Sequence, residues 1–107
     1  MKRGEVRWYT FKSPDKRRPV LILTRNRSIG VLNAVTVAPI TSTIRDVPSE
    51  VLLDEGDGLL NECIINLHSL QTVPKEKLGP RLTTLSQERM REVEESIQFS
   101  LGFETWV

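Results

Sequence analysis

The alternation of apolar and polar residues predicts several short strands in the first two thirds of the chain. Residues 4–11 are rich in aromatic and β-branched side chains, as strands are. The apolar run 20–23 is typical of a buried strand, and Pro19 before it suits a strand's first position. Pro39 indicates an edge or a bulge near the end of the third strand. Further strands are predicted at residues 31–40 and 51–53, and at 63–67 and 70–73, which are two strands or one bent strand.

Only the last quarter of the chain has the pattern of an amphipathic helix. Ser86 is a good N-cap residue, and Leu85 and Met90 stand at the two positions of a hydrophobic staple. Apolar residues then recur every three or four positions up to Leu101, and Gly102 is placed to end the helix. Several short strands followed by one amphipathic helix predict a mainly β (α+β) fold, a small barrel covered by a C-terminal helix.

Length and composition are those of an ordinary globular protein. The 107 residues, 38% of them hydrophobic, suffice for one core, so we expect a single domain over residues 1–107. One cysteine, Cys63, excludes an internal disulfide framework. No signal peptide is recognisable, and no apolar run approaches the roughly 18 residues of a membrane span. These features predict a soluble, cytoplasmic protein with no membrane partner.

The net charge of +1 conceals a basic first quarter. Residues 1–27 carry nine basic and two acidic side chains, whereas residues 28–107 carry six basic and twelve acidic ones. Single Lys and Arg residues most often only decorate exposed loops. Their concentration in one segment, however, lets the protein present a cationic face to a polyanion, which favours nucleic acid as the partner.

The basic segment ends where the predicted core begins. Lys16, Arg17 and Arg18 stand directly before Pro19, which biases the residue preceding it toward extended geometry. Arg18 is therefore predicted to be fixed at the rim of the core, whereas Lys16 and Arg17 are predicted to lie in a more mobile loop. We expect Arg18 to act on a phosphate.

Most catalytic templates do not fit the sequence. One histidine and one cysteine could supply only a weak or carboxylate-heavy metal site, and there is no Gly-rich phosphate loop. His68 has no nucleophile at a recognised spacing, which favours a structural role. Phosphoryl chemistry remains, because RNA supplies its own nucleophile, the 2′-hydroxyl, and needs no metal for cleavage. Arginine binds phosphate, and a hydroxyl such as that of Thr41 can hydrogen-bond the same group.

Four blocks of the sequence carry a family pattern: residues 4–6, 17–23, 37–42 and 67–73, the last followed by Lys75 and Leu78. In register, these blocks resemble the MazF/PemK toxins, the ribonuclease members of toxin–antitoxin pairs. The resemblance implies a homodimeric, SH3-like barrel that cuts single-stranded RNA at short sequences, leaving 2′,3′-cyclic phosphate and 5′-hydroxyl ends and inhibiting translation and growth. It implies no cofactor, and neutralisation by an antitoxin with an acidic, partly disordered tail.

The resemblance also implies site residues. Arg18 and Thr41 fall on the catalytic positions, which stabilise and orient the scissile phosphate, and the arginine is a candidate proton donor. The chain departs from the family pattern at His68 and at Gln71, where an arginine is common and could contact phosphate or antitoxin. The residues predicted to bind RNA are Lys12, Lys16, Arg17, Arg25, Ser42 and Thr43.

Two other function classes stay open at this stage. Related gyrase-binding toxins act through C-terminal residues that include a tryptophan, and this chain carries Trp106, although helix-end packing or a frayed terminus is favoured for it. A non-catalytic RNA-binding module would use Trp8, Tyr9 and Phe11 as stacking platforms. At least one of these three rings must face the core, so at most two can meet a base.

Overall fold

The computed structural model describes residues 1–12 and 16–103. The strands are β1 (Glu5–Phe11), β2 (Lys16–Ile22), β3 (Ala34–Thr41), β4 (Glu50–Leu53), β5 (Cys63–Asn66), β6 (Gln71–Pro74) and β7 (Arg81–Thr84). The helices are α1 (Asn26–Ile29) and α2 (Gln87–Ser100), and Glu55–Asp57 and Lys75–Lys77 form 3₁₀ turns. The predicted mainly β fold with a C-terminal helix is confirmed.

All seven strands belong to one curled antiparallel sheet. Hydrogen-bonded neighbours follow the order β4-β5-β3-β2-β1-β7, and β6 pairs with β3 on the same side as β5. The sheet therefore divides along β3: residues 34–37 pair with β6, whereas Ile40 and Thr41 pair with β5. The predicted segments 63–67 and 70–73 are thus two separate strands that meet the same neighbour.

Pro39 lies at this division, and the expectation that it marks an edge or a bulge is wrong, since β3 pairs with β2 in unbroken register there. β3 is central, and Pro39 pairs with Val20 of β2. The backbone N–H of Leu23 donates to the carbonyl of Thr36 on the β2 side. Because backbone groups alternate along a strand, the nitrogen of Pro39 faces the opposite side, where pairing with β6 has ended and pairing with β5 has not begun. A missing N–H costs little there.

β2 begins earlier than predicted. Lys16, Arg17 and Arg18 pair with Phe11, Thr10 and Tyr9 of β1, so Pro19 lies within the strand and not at its start. The prediction that Lys16 and Arg17 occupy a mobile loop is wrong, because pairing with β1 outweighs their polar character.

Two elements have no clear signal in the sequence pattern. β7 is a four-residue edge strand that pairs with β1, and α1 is a single polar turn that buries only Ile29. In addition, β3 begins at Ala34 and not at residue 31, because Val31 lies in a turn with 81% of its side chain exposed.

Apolar clusters cover both faces of the sheet. The first cluster includes Val6, Leu21, Ala38, Leu53, Ile65, Leu67, Met90 and Val93, so α2 closes this face. The second cluster consists of Val20, Ile22, Ile29, Val35, Val37 and Val73, with Tyr9, Phe11 and Leu78 packed against it. The second cluster ends at the division of the sheet, and the candidate site lies beside it.

The start of α2 is as predicted. The Ser86 hydroxyl accepts the backbone N–H of Arg89 at 3.1 Å, and Leu85 and Met90 are both buried in the first cluster. The apolar stripe ends earlier than expected, since Leu101 is 52% exposed, and Gly102 terminates the helix with a φ of 70°. Over residues 1–12 and 16–103, no helix is both long and apolar enough to cross a membrane.

Candidate active site

An open groove of about 370 Å³ lies on the second-cluster face where the sheet divides. It contains two arginines and no carboxylate among its described lining residues, so it is electropositive. The lining residues are Phe11, Arg18, Pro39, Thr41, Thr43, Arg45, Asn66, Ser69 and Gln71.

Strand register brings Arg18 and Thr41 into one groove. Val20 pairs with Pro39, so residues two positions along each strand, Arg18 on β2 and Thr41 on β3, share the face of that pair. Arg18 is half-buried, and no ion pair joins it to another described residue. Its guanidinium is therefore available to an anion in the groove.

The wall facing Arg18 is the turn between β5 and β6. Asn66 ends β5, Gln71 begins β6, and Ser69 lies between them. Both strands pair with β3, so the turn crosses the division of the sheet and places these polar side chains on the groove. Asn66 and Ser69 are absent from the sequence-predicted site. Ser69 lies in the polar break between two predicted strands, inside a family block, whereas Asn66 lies within the predicted strand 63–67 and has no signal of its own.

Thr43 and Arg45 reach the groove from the loop of residues 42–49. The Glu50 carboxylate fixes this loop, because its Oε1 accepts the backbone N–H groups of Arg45 at 2.9 Å and Asp46 at 3.1 Å. Asp46 has a φ of 56°, a left-handed conformation that Asp tolerates better than most residues. Thr43 thus lines the groove, and Arg45 is an additional cation there that sequence reasoning missed.

Arg17 is not brought to the groove. It follows the alternation of β2 and points to the opposite face from Arg18. There its guanidinium lies 4.4 Å from the ring centroid of Trp8, a cation–π contact. Two adjacent arginines therefore have different surroundings, and only Arg18 lines the groove.

The other predicted RNA-binding residues also lie outside the groove lining. Lys12 and Lys16 are exposed on either side of residues 13–15. Ser42 is exposed directly after Thr41. Arg25 precedes α1, beyond the end of β2 that is farther from Arg18. None of these four residues lines the groove, and their contacts with RNA stay predictions.

His68 serves the structure of the β5–β6 turn. Its Nδ1 is 2.8 Å from the hydroxyl of Ser49, and its backbone N–H donates to Oδ1 of Asn66 at 3.1 Å. His68 does not line the groove. Within the part of the chain that the structure describes, no group of three or more His, Cys, Asp and Glu side chains could hold a metal ion.

Comparison with known proteins identifies the family. Residues 2–101 match the family model described as the PemK-like, MazF-like toxin of type II toxin–antitoxin systems. This chain belongs to that family. The resemblance drawn from the four sequence blocks is therefore confirmed.

Individual relatives in the MazF family agree with this assignment. The Mycobacterium tuberculosis protein named "Probable endoribonuclease MazF5" is 40% identical over 92 residues, which cover 85% of this chain and 84% of that protein. The solved structure of "Mycobacterium tuberculosis toxin MazF-mt6" matches with a TM-score of 0.84 at 33% identity. The match covers 92% of this chain and 96% of that toxin's chain. A mycobacterial endoribonuclease solved with its cognate antitoxin has the same fold, with a TM-score of 0.88 at 23% identity over 97% of each chain.

Proposed function

We propose that this protein is a sequence-specific endoribonuclease toxin that cuts single-stranded RNA in the groove beside Arg18. One observation carries the proposal. Arg18 and Thr41, the two positions implied by the family pattern, line the same groove, and its described lining residues include no carboxylate. A polyanion is attracted to such a groove, and a catalyst of phosphoryl transfer acts mainly by positioning the phosphate and stabilising its charge.

The reaction we propose uses the nucleophile that RNA carries. The 2′-hydroxyl oxygen loses its proton and bonds to the adjacent phosphorus, while the bond from phosphorus to the 5′ oxygen breaks and that oxygen gains a proton. The products are a 2′,3′-cyclic phosphate and a 5′-hydroxyl. Arg18 stabilises the extra negative charge on the phosphate oxygens, and the Thr41 hydroxyl orients one of them. A guanidinium is a strong charge stabiliser and a weak proton donor, since it stays protonated at physiological pH.

The groove suits a single strand. It is open, and Phe11 offers an aromatic surface that makes a T-shaped contact with Tyr9, the two ring centroids being 4.9 Å apart. Unpaired bases can stack on such a ring, whereas bases within a duplex cannot. Loop residues Thr43 and Arg45 extend the polar lining beyond Thr41 and can hold a neighbouring phosphate.

The biological setting of the proposal is that of the family. We propose a cytoplasmic toxin, one domain over residues 1–107, that forms a homodimer and inhibits growth by cutting messenger RNA. Its partner is an antitoxin whose acidic, partly disordered tail occupies the same electropositive groove. The described groove lining supports an acidic tail there, because it holds two arginines and no carboxylate and so attracts an acidic peptide as well as RNA.

The two alternatives have less support. Trp106, on which a gyrase-binding function depends, lies outside the described residues. A purely binding module would need several exposed rings. Trp8 instead contacts Arg17, and of the three rings only Phe11 lines the groove.

Purified protein incubated with a long unstructured RNA in the presence of EDTA tests the proposal. We expect cleavage at short recurrent sequences, with 5′-hydroxyl ends that accept label from a polynucleotide kinase without prior phosphatase treatment. RNA that is bound but uncut at several pH values would indicate the binding module. Inhibition of DNA supercoiling with intact RNA would indicate a gyrase-binding toxin.

A further inference from the structure

The side chain of Asn66 has a fixed orientation at the groove. It is only 9% exposed and lines the groove. Its Oδ1 accepts the backbone N–H of His68 at 3.1 Å, and because that N–H can only donate, the oxygen end of the amide must face the turn. Nδ2 therefore occupies the other end. It has no hydrogen-bond partner among the described residues, and it is not sealed from solvent as an unsatisfied buried atom.

The turn that holds this amide is itself anchored. The Ser49 hydroxyl lies 2.8 Å from Nδ1 of His68, and the backbone N–H of Leu67 donates to the Ser49 carbonyl at 2.9 Å. Ser49 is buried, with 8% of its surface exposed. These contacts fix the backbone of His68, which in turn fixes the Asn66 carboxamide. The Nδ2 donor is thus preorganised and loses little conformational freedom when a ligand binds.

The two walls of the groove differ in chemistry. Arg18 on β2 and Thr41 on β3 supply positive charge and a hydroxyl, which suit phosphate. The wall of Asn66, Ser69 and Gln71 is neutral and offers amide and hydroxyl groups. Neutral donors and acceptors in fixed positions are the means by which proteins read the edges of unpaired bases. A nucleotide bound with its phosphate at the cationic wall would present its base to the amide wall.

We propose that Asn66 is a specificity-determining residue that donates a hydrogen bond from Nδ2 to a carbonyl oxygen of one base beside the cleavage site. The inference rests on the proposed function and deepens it, since it assigns base recognition to the β5–β6 turn and phosphate contacts to the other wall. Ser69 and Gln71 complete the edge-reading surface around the same base.

Asn66→Asp tests this inference with almost no change in shape. The carboxylate can still accept the His68 N–H, but the donor becomes an acceptor. All cleavage sites of one long unstructured RNA are mapped for the wild type and for the variant in the same reaction conditions. We expect the relative cleavage rates of the sites to change about tenfold according to the base at one position. Sites with a base that carries a carbonyl oxygen there should lose, because the variant offers an acceptor where the wild type offers a donor.

Comparison of sites within one RNA separates specificity from affinity. The new negative charge weakens binding of all RNA, but it lowers all sites by the same factor and leaves their ratios unchanged. Unchanged ratios, with or without such a uniform loss, overturn the inference. Asn66→Ser serves as the second variant if Asn66→Asp unfolds, because its hydroxyl can accept the same N–H while the amide donor is absent. A wild-type protein that cuts no RNA would instead refute the proposed function.

Discussion

The ion pair between Arg89 of α2 and Asp57 gives a prediction about stability. Arg89 Nε lies 2.9 Å from Oδ1 of Asp57, whose Oδ2 accepts the backbone N–H of Asp54 at 3.0 Å. The pair therefore ties the Glu55–Asp57 turn to the helix that closes the first cluster. Asp57→Asn removes the negative charge. It also leaves one side-chain oxygen to accept hydrogen bonds, whereas Asp57 uses both of its oxygens.

The expected loss follows from the exposure of the pair. A hydrogen bond to a charged group contributes about 1.5–3 kcal/mol when it is shielded from water, and exposed pairs contribute less. The Asp57 side chain is 10% exposed, but that of Arg89 is 26% exposed. We therefore expect Asp57→Asn to lower the free energy of unfolding by about 1–2 kcal/mol at pH 7, or the melting temperature by about 5–10 °C.

The loss should depend on pH. Burial disfavours the Asp57 carboxylate, but the hydrogen bonds from Arg89 and from the Asp54 backbone, with the charge of Arg89, outweigh burial and hold the pKa of Asp57 below its ordinary value. The stabilisation is therefore complete above the unfolded-state pKa, about 4, and is lost as the pH falls through the lower folded-state pKa. The difference between variant and wild type should shrink below about pH 4.

Denaturant unfolding at pH 7 and at several lower pH values measures these differences. Glu92→Gln is the matched control, because Glu92 also binds Arg89, at 3.1 Å, but is 45% exposed and should contribute no more than about 0.5 kcal/mol. A difference for Asp57→Asn that is negligible at pH 7, or equally large at pH 7 and pH 3, would refute the reasoning.

Two further predictions concern the groove. Thr41→Val keeps the shape of the side chain without its hydroxyl, and we expect the cleavage rate constant to fall about 10- to 100-fold with little change in KM; an unchanged rate in single-turnover assays would remove Thr41 from the site. Glu50→Ala releases the backbone N–H groups of Arg45 and Asp46, so we expect KM for RNA to rise more than kcat falls. If KM rises by no more than the factor by which kcat falls, in a fully folded variant, the loop does not act through substrate binding.

Local sequence signals account for much of the fold. The N-cap at Ser86 and the apolar spacing after it predict the start of α2, because helix formation depends on neighbouring residues. The extent of β2 is not predictable in this way, since Lys16 and Arg17 become strand residues only through pairing with β1. β7 likewise depends on an edge of the sheet that exists only after folding.

The residues of the candidate site were likewise predictable only in part. Arg18 and Thr41 could be predicted, because each lies in a block of the family resemblance. Asn66 and Ser69 on the opposite wall could not be predicted, because they reach the groove through the pairing of β5 and β6 with β3, a non-local arrangement that residue order does not specify. Arg17 shows the converse, since its charge suggests a site residue and the alternation of β2 directs it away.

The cleavage rates of Arg18→Ala and Arg17→Ala, measured side by side on one RNA, test the central claim most directly. The two variants lose the same charge from adjacent positions on opposite faces of β2. We expect Arg18→Ala to lose at least about 100-fold in rate, the effect of removing a transition-state charge stabiliser, and Arg17→Ala to remain within about threefold of the wild type. Equal losses in the two variants, or wild-type activity in folded Arg18→Ala, would contradict cleavage in this groove.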